Sequence, residues 1–245
     1  MLSIVIGSTV ETYKDLLKFF DKIEQKFNCK VKKKNYYTYE TTIKNEKVEF
    51  LFAFKPFKNK DYEKSVLKWK ARGRKLPPPI EETVKKVRGN RVLFLSFYGA
   101  FTGKLDQVYL PISVTPKFIK KRNNKLEDFK NLKGKIEFDN VLIGKIKGKK
   151  SNHITTNTLF TQEKFEGGAD GLVKLAKFLA KKYDSIDMEL YVLVKALKDK
   201  LSIGAMGVSS DILDKKHLHM EYNVVKQDTK YHVESCLKAI EVMLD

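Results

Sequence analysis

The sequence predicts one α/β domain over residues 1–245, with a mixed, twisted central β-sheet flanked by helices. Three observations carry this. Apolar runs of strand length alternate with longer segments whose apolar residues recur at helical spacing. The runs stop at turn or capping residues, as at Gly7-Ser8, Tyr98-Gly99 and Ser209-Ser210. No repeat, low-complexity stretch or Gly/Ser linker divides the chain.

Leu2–Ile6 is an apolar run of one buried strand. Residues 11–27 follow as a helix, with Leu16, Leu17, Phe19, Phe20, Ile23 and Phe27 on one face and Thr9 or Thr12 available as cap. Residues 36–43 and 48–54 read as a hairpin around the polar 44–47. Residues 58–91 are polar, a helix or loop interrupted by Pro77–Pro79 and followed by a short helix from Ile80 to Val87. Strands are expected at 91–97 and 107–114, a strand pair or long strand at 135–147, and a strand at 151–159. Residues 169–183 are helical, with Leu172, Leu175, Ala176 and Leu179 inward, and 185–197 begin as strand and turn into helix. A strand at 201–208 ends at Ser209-Ser210-Asp211, and a helix over 229–244 closes the chain with Val233, Leu237, Ile240 and Leu244 inward.

Composition bounds the function. The chain has 245 residues, 42% of them apolar and 11% aromatic, enough to bury a core without staples. Its two cysteines, Cys29 and Cys236, exclude a disulfide framework and suit a reducing compartment. The first apolar run is too short for a signal peptide, and Val92–Phe101 falls far short of the ~20 residues of a membrane span. The expectation is a cytoplasmic protein with no membrane partner.

The net charge of +19 is uneven. Residues 51–100 net +9 and 101–150 net +8, whereas 151–245 net −1. Clusters at 68–75, 117–125 and 145–150 are able to attract phosphates. Only five of the 49 basic residues are Arg, however, and Arg is the side chain that grips phosphates and base edges bidentately. A solvated lysine-rich surface is therefore the first reading of the charge, and a nucleic-acid partner for 51–150 the second.

In α/β folds ligands gather where strands end. Four such places stand out: 7–11, 98–103, 155–160, and Asp187–Glu189 together with Ser210–Asp211. No phosphate-binding P-loop, dinucleotide-binding glycine motif, Cys-x-x-Cys or His-Glu-x-x-His is present. His217 and His219 with Glu221 form only a weak metal signal, read here as surface histidines, so no metal site is expected. Asp187 and Glu189 have a structural reading as first-turn helix acids, and Asp211 as a helix cap.

Taken together, these segments resemble the purine and uridine phosphorylase and nucleosidase superfamily. The resemblance rests on Asp187-Met188-Glu189 at a strand–helix junction and on the downstream Ser210-Asp211. It extends to Thr156-Asn157-Thr158-Leu159-Phe160, to Leu95–Ala100, and to Ile4–Gly7 with Glu11, the last like the methylthioadenosine/S-adenosylhomocysteine nucleosidase branch. It is clear over 90–112 and 150–214 and lacking over about 30–89, a divergent basic region.

The resemblance implies cleavage of the N-ribosidic bond of a purine nucleoside or 5′-substituted adenosine, with no cofactor, in a homo-oligomer. Glu189 would accept hydrogen bonds from the ribose hydroxyls, Met188 would pack under the sugar, and Asp211 would protonate the leaving purine. Phe160 would stack on the base, with Gly99 and Ser210 completing the substrate pocket. Glu11 would activate water in a hydrolase; Gly7, Ser8 and Thr9 would hold inorganic phosphate, the co-substrate of a phosphorylase. Phe94 stands where phosphorylases commonly carry an Arg, with Arg91 three residues earlier, and Gly207 stands where nucleosidases carry one. Hydrolysis is slightly favoured over phosphorolysis. A non-catalytic nucleoside sensor and a nucleic-acid-binding protein are the remaining alternatives.

Overall fold

The computed structural model describes residues 1–7, 12–35, 37–53, 71, 78–101, 103–104, 107–118, 125–156, 166–213 and 229–245, and for 12–17, 210, 211 and 229–232 the backbone. Strand β1 (Leu2–Gly7) is buried along its whole length, as a continuous apolar run flanked by parallel strands should be. Helix α1 (Thr12–Phe27) follows and is succeeded by β2 (Lys32–Asn35), β3 (Thr38–Ile43) and β4 (Glu46–Ala53). The β3–β4 hairpin turns on Lys44 and Asn45, both at positive φ (48° and 64°), the backbone that a two-residue turn requires to match strand twist. Three strands of the sheet thus come from the segment in which the sequence resemblance is lacking.

After helix α2 (Ile80–Val84) come β5 (Arg91–Ala100) and β6 (Val108–Lys117). A 3₁₀ turn over Leu126–Phe129 leads to β7 (Ile136–Glu137) and β8 (Lys149–Thr156). Helix α3 (Gly168–Leu179), β9 (Ser185–Asp187), helix α4 (Leu190–Leu197), β10 (Ser202–Ile212) and helix α5 (Thr229–Leu244) complete the order. The sheet runs β10-β6-β8-β9-β5-β1-β4-β3-β2, with β7 on β6, and it is mixed as the sequence predicts.

Two expectations are corrected. The strand pair at 135–147 reduces to the two residues of β7, and 140–147 form turns and bridges instead. The Asn140 side chain is the cause: it donates to Pro111 O (3.0 Å) and Ala205 O (2.7 Å) and accepts from Ala205 N (3.1 Å) and Leu142 N (3.2 Å), which ties the segment down without a ladder. The strands expected to stop at 97 and 208 run on to Ala100 and Ile212, because β5 and β10 pair in parallel over that whole stretch.

β10 pairs with both β5 and β6. With β6 on β8, β8 on β9 and β9 on β5, five strands close into a ring at one end of the sheet. Outside it, α1 and α5 cover β1, β3 and β4 with Phe19, Phe20, Ile23, Leu237, Ile240 and Met243. Phe20 lies 4.7 Å from Tyr39 and 5.1 Å from Phe50, centroid to centroid. Leu172, Leu175, Ala176 and Leu179 of α3 pack on Ile154 and Ile186. The other face of β5, at Val92, Phe94 and Tyr98, packs with α4 through Leu190, Leu193 and Val194. Burial of such side chains is worth roughly 1.5–3 kcal/mol each, which holds the strand ends in register.

Candidate active site at the strand ends

The registers bring the predicted segments together. On one side of β5, Gly99 pairs with Ile186 of β9; on the other it pairs with Asp211 of β10. A bulge between Ser209 and Asp211 shifts the β10 ladder at this point, placing Ser210 in the irregularity. Bulges re-aim side chains next to active sites. β1 ends earlier along β5: Ile6 pairs with Leu95, and a Cβ on Gly7 would meet Ser96 Oγ at 2.6 Å. A glycine is needed there for that close approach.

Asp187 ends β9 and Glu189 caps α4, with Met188 between them. Both carboxylates are nearly enclosed, Asp187 at 5% and Glu189 at 7% exposure. Asp187 is a helix-starting acid, since its Oδ2 accepts the Leu190 N–H at 2.9 Å. Its Oδ1 accepts the Thr155 hydroxyl at 2.6 Å, and Thr155 Oγ1 in turn accepts the Tyr191 N–H at 2.9 Å. The structural and functional readings of this acid therefore divide: Asp187 holds the helix start, and Glu189 is the carboxylate carried at the junction. The Met188 N–H lies 3.3 Å from Glu189 Oε2. Asp211 is a strand residue with its backbone in the β10 ladder, not a helix cap.

Sequence reasoning missed the layer beneath. His153 and Tyr98 are fully buried, with ring centroids 4.3 Å apart across β9. His153 Nδ1 is 2.8 Å from Ser185 Oγ, and Nε2 is 3.0 Å from Asp187 Oδ1, within ion-pair range though not aligned for a hydrogen bond. Burial, and then the charges of Asp187 and Glu189, push the Tyr98 phenol well above its ordinary pKa, so it stays neutral. The available signal was the alternation Ser151-x-His153-x-Thr155 in the strand expected at 151–159.

The departures from the family pattern have structural reasons. Phe94 is fully buried in the core against α4. Arg91 lies at the far end of β5, paired with Glu46, which also takes the N-terminal ammonium at 3.0 Å. Gly207 is the bed for Tyr98: a Cβ there would stand 2.2 Å from the ring. Ser8, Thr9, Glu11 and Phe160, and also His217, His219 and Glu221, lie outside the described residues. Among the described residues no group of three or more His, Cys, Asp or Glu is placed to hold a metal. Of the basic clusters, Lys125 pairs with Glu166 (3.0 Å) and Lys149 with Asp184 (2.8 Å). A shallow cleft of about 470 Å³ at Ile112, Glu137 and Asp139 shares none of the predicted residues.

No protein-family model matches the chain, and no protein of curated function matches its sequence. In fold it resembles solved futalosine hydrolase and nucleosidase structures over 98–100% of its length. The solved structures that it resembles include a futalosine hydrolase mutant from Helicobacter pylori, with TM-score 0.62, 12% identity, and 100% of this chain and 99% of that one covered. Another is the Campylobacter jejuni 5′-methylthioadenosine/S-adenosyl homocysteine nucleosidase, with TM-score 0.61, 14% identity, and coverage of 98% and 99%. A third, a mutant Helicobacter pylori nucleosidase with 5′-methylthioadenosine in its active site, gives TM-score 0.63, 12% identity, and coverage of 99% and 97%. Among the described residues no helix is long and apolar enough to cross a membrane.

Proposed function

We propose that this protein cleaves the N-ribosidic bond of a purine nucleoside or 5′-substituted adenosine by hydrolysis. The observation that carries the reading is the register at Gly99, which has the β9 end leading into Met188-Glu189 on one side and Asp211 on the other. Two acids on opposite flanks of one glycine suit a nucleoside, one for the sugar and one for the base. The bond breaks through an oxocarbenium-like state, so the sugar must be gripped and the base must leave protonated. Glu189 accepts the ribose 2′- and 3′-hydroxyls in charge-assisted bonds, with Met188 under the sugar. Asp211 supplies the proton to the purine, a role that typically contributes about 10²–10⁴-fold. Phe160 stacks on the base, Ser210 and Gly99 complete the pocket, and Glu11 activates the attacking water.

Hydrolysis is favoured over phosphorolysis by the position of Arg91, which is engaged with Glu46 at the far end of β5. Hydrolytic activity in the futalosine hydrolase and nucleosidase folds that it resembles supports the same choice. In a phosphorylase Gly7, Ser8 and Thr9 would instead hold phosphate. The resemblance further suggests a cytoplasmic homo-oligomer that needs no cofactor. The test is a purine nucleoside panel, including methylthioadenosine, incubated with and without phosphate. Free ribose or its 5′-substituted form, with no dependence on phosphate, is the expected product. Ribose 1-phosphate would reassign the reaction, and no released base under either condition would defeat it.

A further inference from the structure

The first N–H groups of a helix lack α-helical partners, and the side chain of the capping residue ordinarily accepts one of them. Glu189 is the capping residue of α4, yet its side chain makes no cap bond. Residues outside the helix do that work. The Leu190 N–H donates to Asp187 Oδ2 at 2.9 Å and the Tyr191 N–H to Thr155 Oγ1 at 2.9 Å, while the Val192 N–H reaches the Glu189 carbonyl at 3.1 Å. Thr155, fully buried on β8, gives its hydroxyl proton to Asp187 Oδ1 at 2.6 Å, so the two outside acceptors also hold each other. The Glu189 carboxylate lies toward Met188 instead, with Oε2 3.3 Å from the Met188 N–H.

We propose that Thr155 is a positioning residue for Glu189: by taking the Tyr191 N–H it relieves Glu189 of capping its own helix and leaves that carboxylate to the ribose hydroxyls. This rests on the reading of Glu189 as the sugar ligand. Tyr191 is the second residue of α4, a position whose N–H a capping side chain ordinarily accepts. Without the Thr155 hydroxyl that buried donor needs another acceptor, because leaving it unmade is costly. The carboxylate at the capping position is the group placed to supply it. Capping and sugar binding then compete for one side chain, and the sugar is held less tightly.

The experiment measures kcat and KM for wild type, T155V, T155S, E189Q and T155V/E189Q, with methylthioadenosine or the panel nucleoside that wild type cleaves. T155V keeps the shape and loses the hydroxyl, so KM rises on the order of tenfold, as for one lost charge-assisted hydrogen bond, with kcat little changed. T155S keeps the hydroxyl and stays near wild type. In the E189Q background T155V adds no further rise, because the carboxylate through which Thr155 acts is already gone. A merely structural role gives another pattern: partial unfolding lowers the active fraction, hence kcat, equally in both backgrounds. An unmoved KM in T155V, a T155S as impaired as T155V, or an undiminished effect in E189Q overturns the proposal. Should T155V fail to fold, D187N breaks the same link from the other end, since one amide oxygen cannot accept from both the Leu190 N–H and the Thr155 hydroxyl; its KM rises, and E189Q again suppresses the rise. Wild type that binds a nucleoside without releasing base defeats the nucleosidase reading alone, and the same variants are then compared by Kd. Wild type that binds none defeats both.

Discussion

Thr155 gives its hydroxyl proton to Asp187 Oδ1 at 2.6 Å and takes the Tyr191 N–H at 2.9 Å, so one buried hydroxyl joins the end of β8 to the start of α4. Thr155→Val keeps the shape and removes both bonds. The Tyr191 N–H then has no acceptor, a loss of about 1–3 kcal/mol per buried unsatisfied group. Urea unfolding should show a lower midpoint at an unchanged m-value.

Glu189→Gln and Asp211→Asn should each leave the fold intact by circular dichroism while lowering kcat/KM, Asp211→Asn by about 10²–10⁴-fold as expected for a general acid. Glu189→Gln should act mainly on KM, since an amide binds hydroxyls less strongly than a carboxylate. Near-wild-type activity in Asp211→Asn would remove it from the chemistry.

Tyr98 and Gly207 form a second coupled pair. Gly207→Ala drives a methyl to 2.2 Å from the ring and should cost about 1–3 kcal/mol as overpacking. Tyr98→Phe should lose no stability, because among the described residues its buried hydroxyl has no hydrogen-bond partner. Thermal unfolding of the two variants checks both signs.

The Cys236 thiol is pushed up to about 12 by burial. At pH 8 the thiolate fraction is then on the order of one in 10⁴, and only the thiolate attacks. A thiol reagent should modify Cys236 slowly in the native protein at pH 8 and faster once urea unfolds it, and Cys236→Ser should abolish this slow phase.

Glu46 sets part of the acid stability. Burial opposes its ionisation, but Arg91 and the N-terminal ammonium more than offset this and hold its pKa below 4.5. A carboxylate with a depressed folded pKa contributes stability above pH 4.5, and that contribution is lost as pH falls through the lower folded value. Glu46→Gln should therefore destabilise at neutral pH, by under about 1 kcal/mol for a pair this accessible, and the difference should be lost as pH falls through the lowered folded value.

Local chemistry made much of this protein legible from its residues. The apolar run of β1, the helical spacing of α1, α3 and α5, and the strand–helix switch at Asp187 follow from periodicities that each segment carries within itself. The uneven charge also survives as a local property, with pairs such as Lys125–Glu166 and Lys149–Asp184 placing part of it on the surface. Asp187-Met188-Glu189 and Ser210-Asp211 were visible as candidates, yet the sequence allowed each a bland role as a helix acid or cap.

Tertiary structure decided the rest. Pairing over long sequence separations set Asp211 opposite Gly99, carried β5 and β10 past their expected ends, and laid the expected β3–β4 hairpin alongside β1. It also closed the ring that buries His153 against Asp187. No window of sequence holds that contact, because the two residues lie on different strands. Their distance depends on a register that the hydrophobic packing of α3 and α4 enforces.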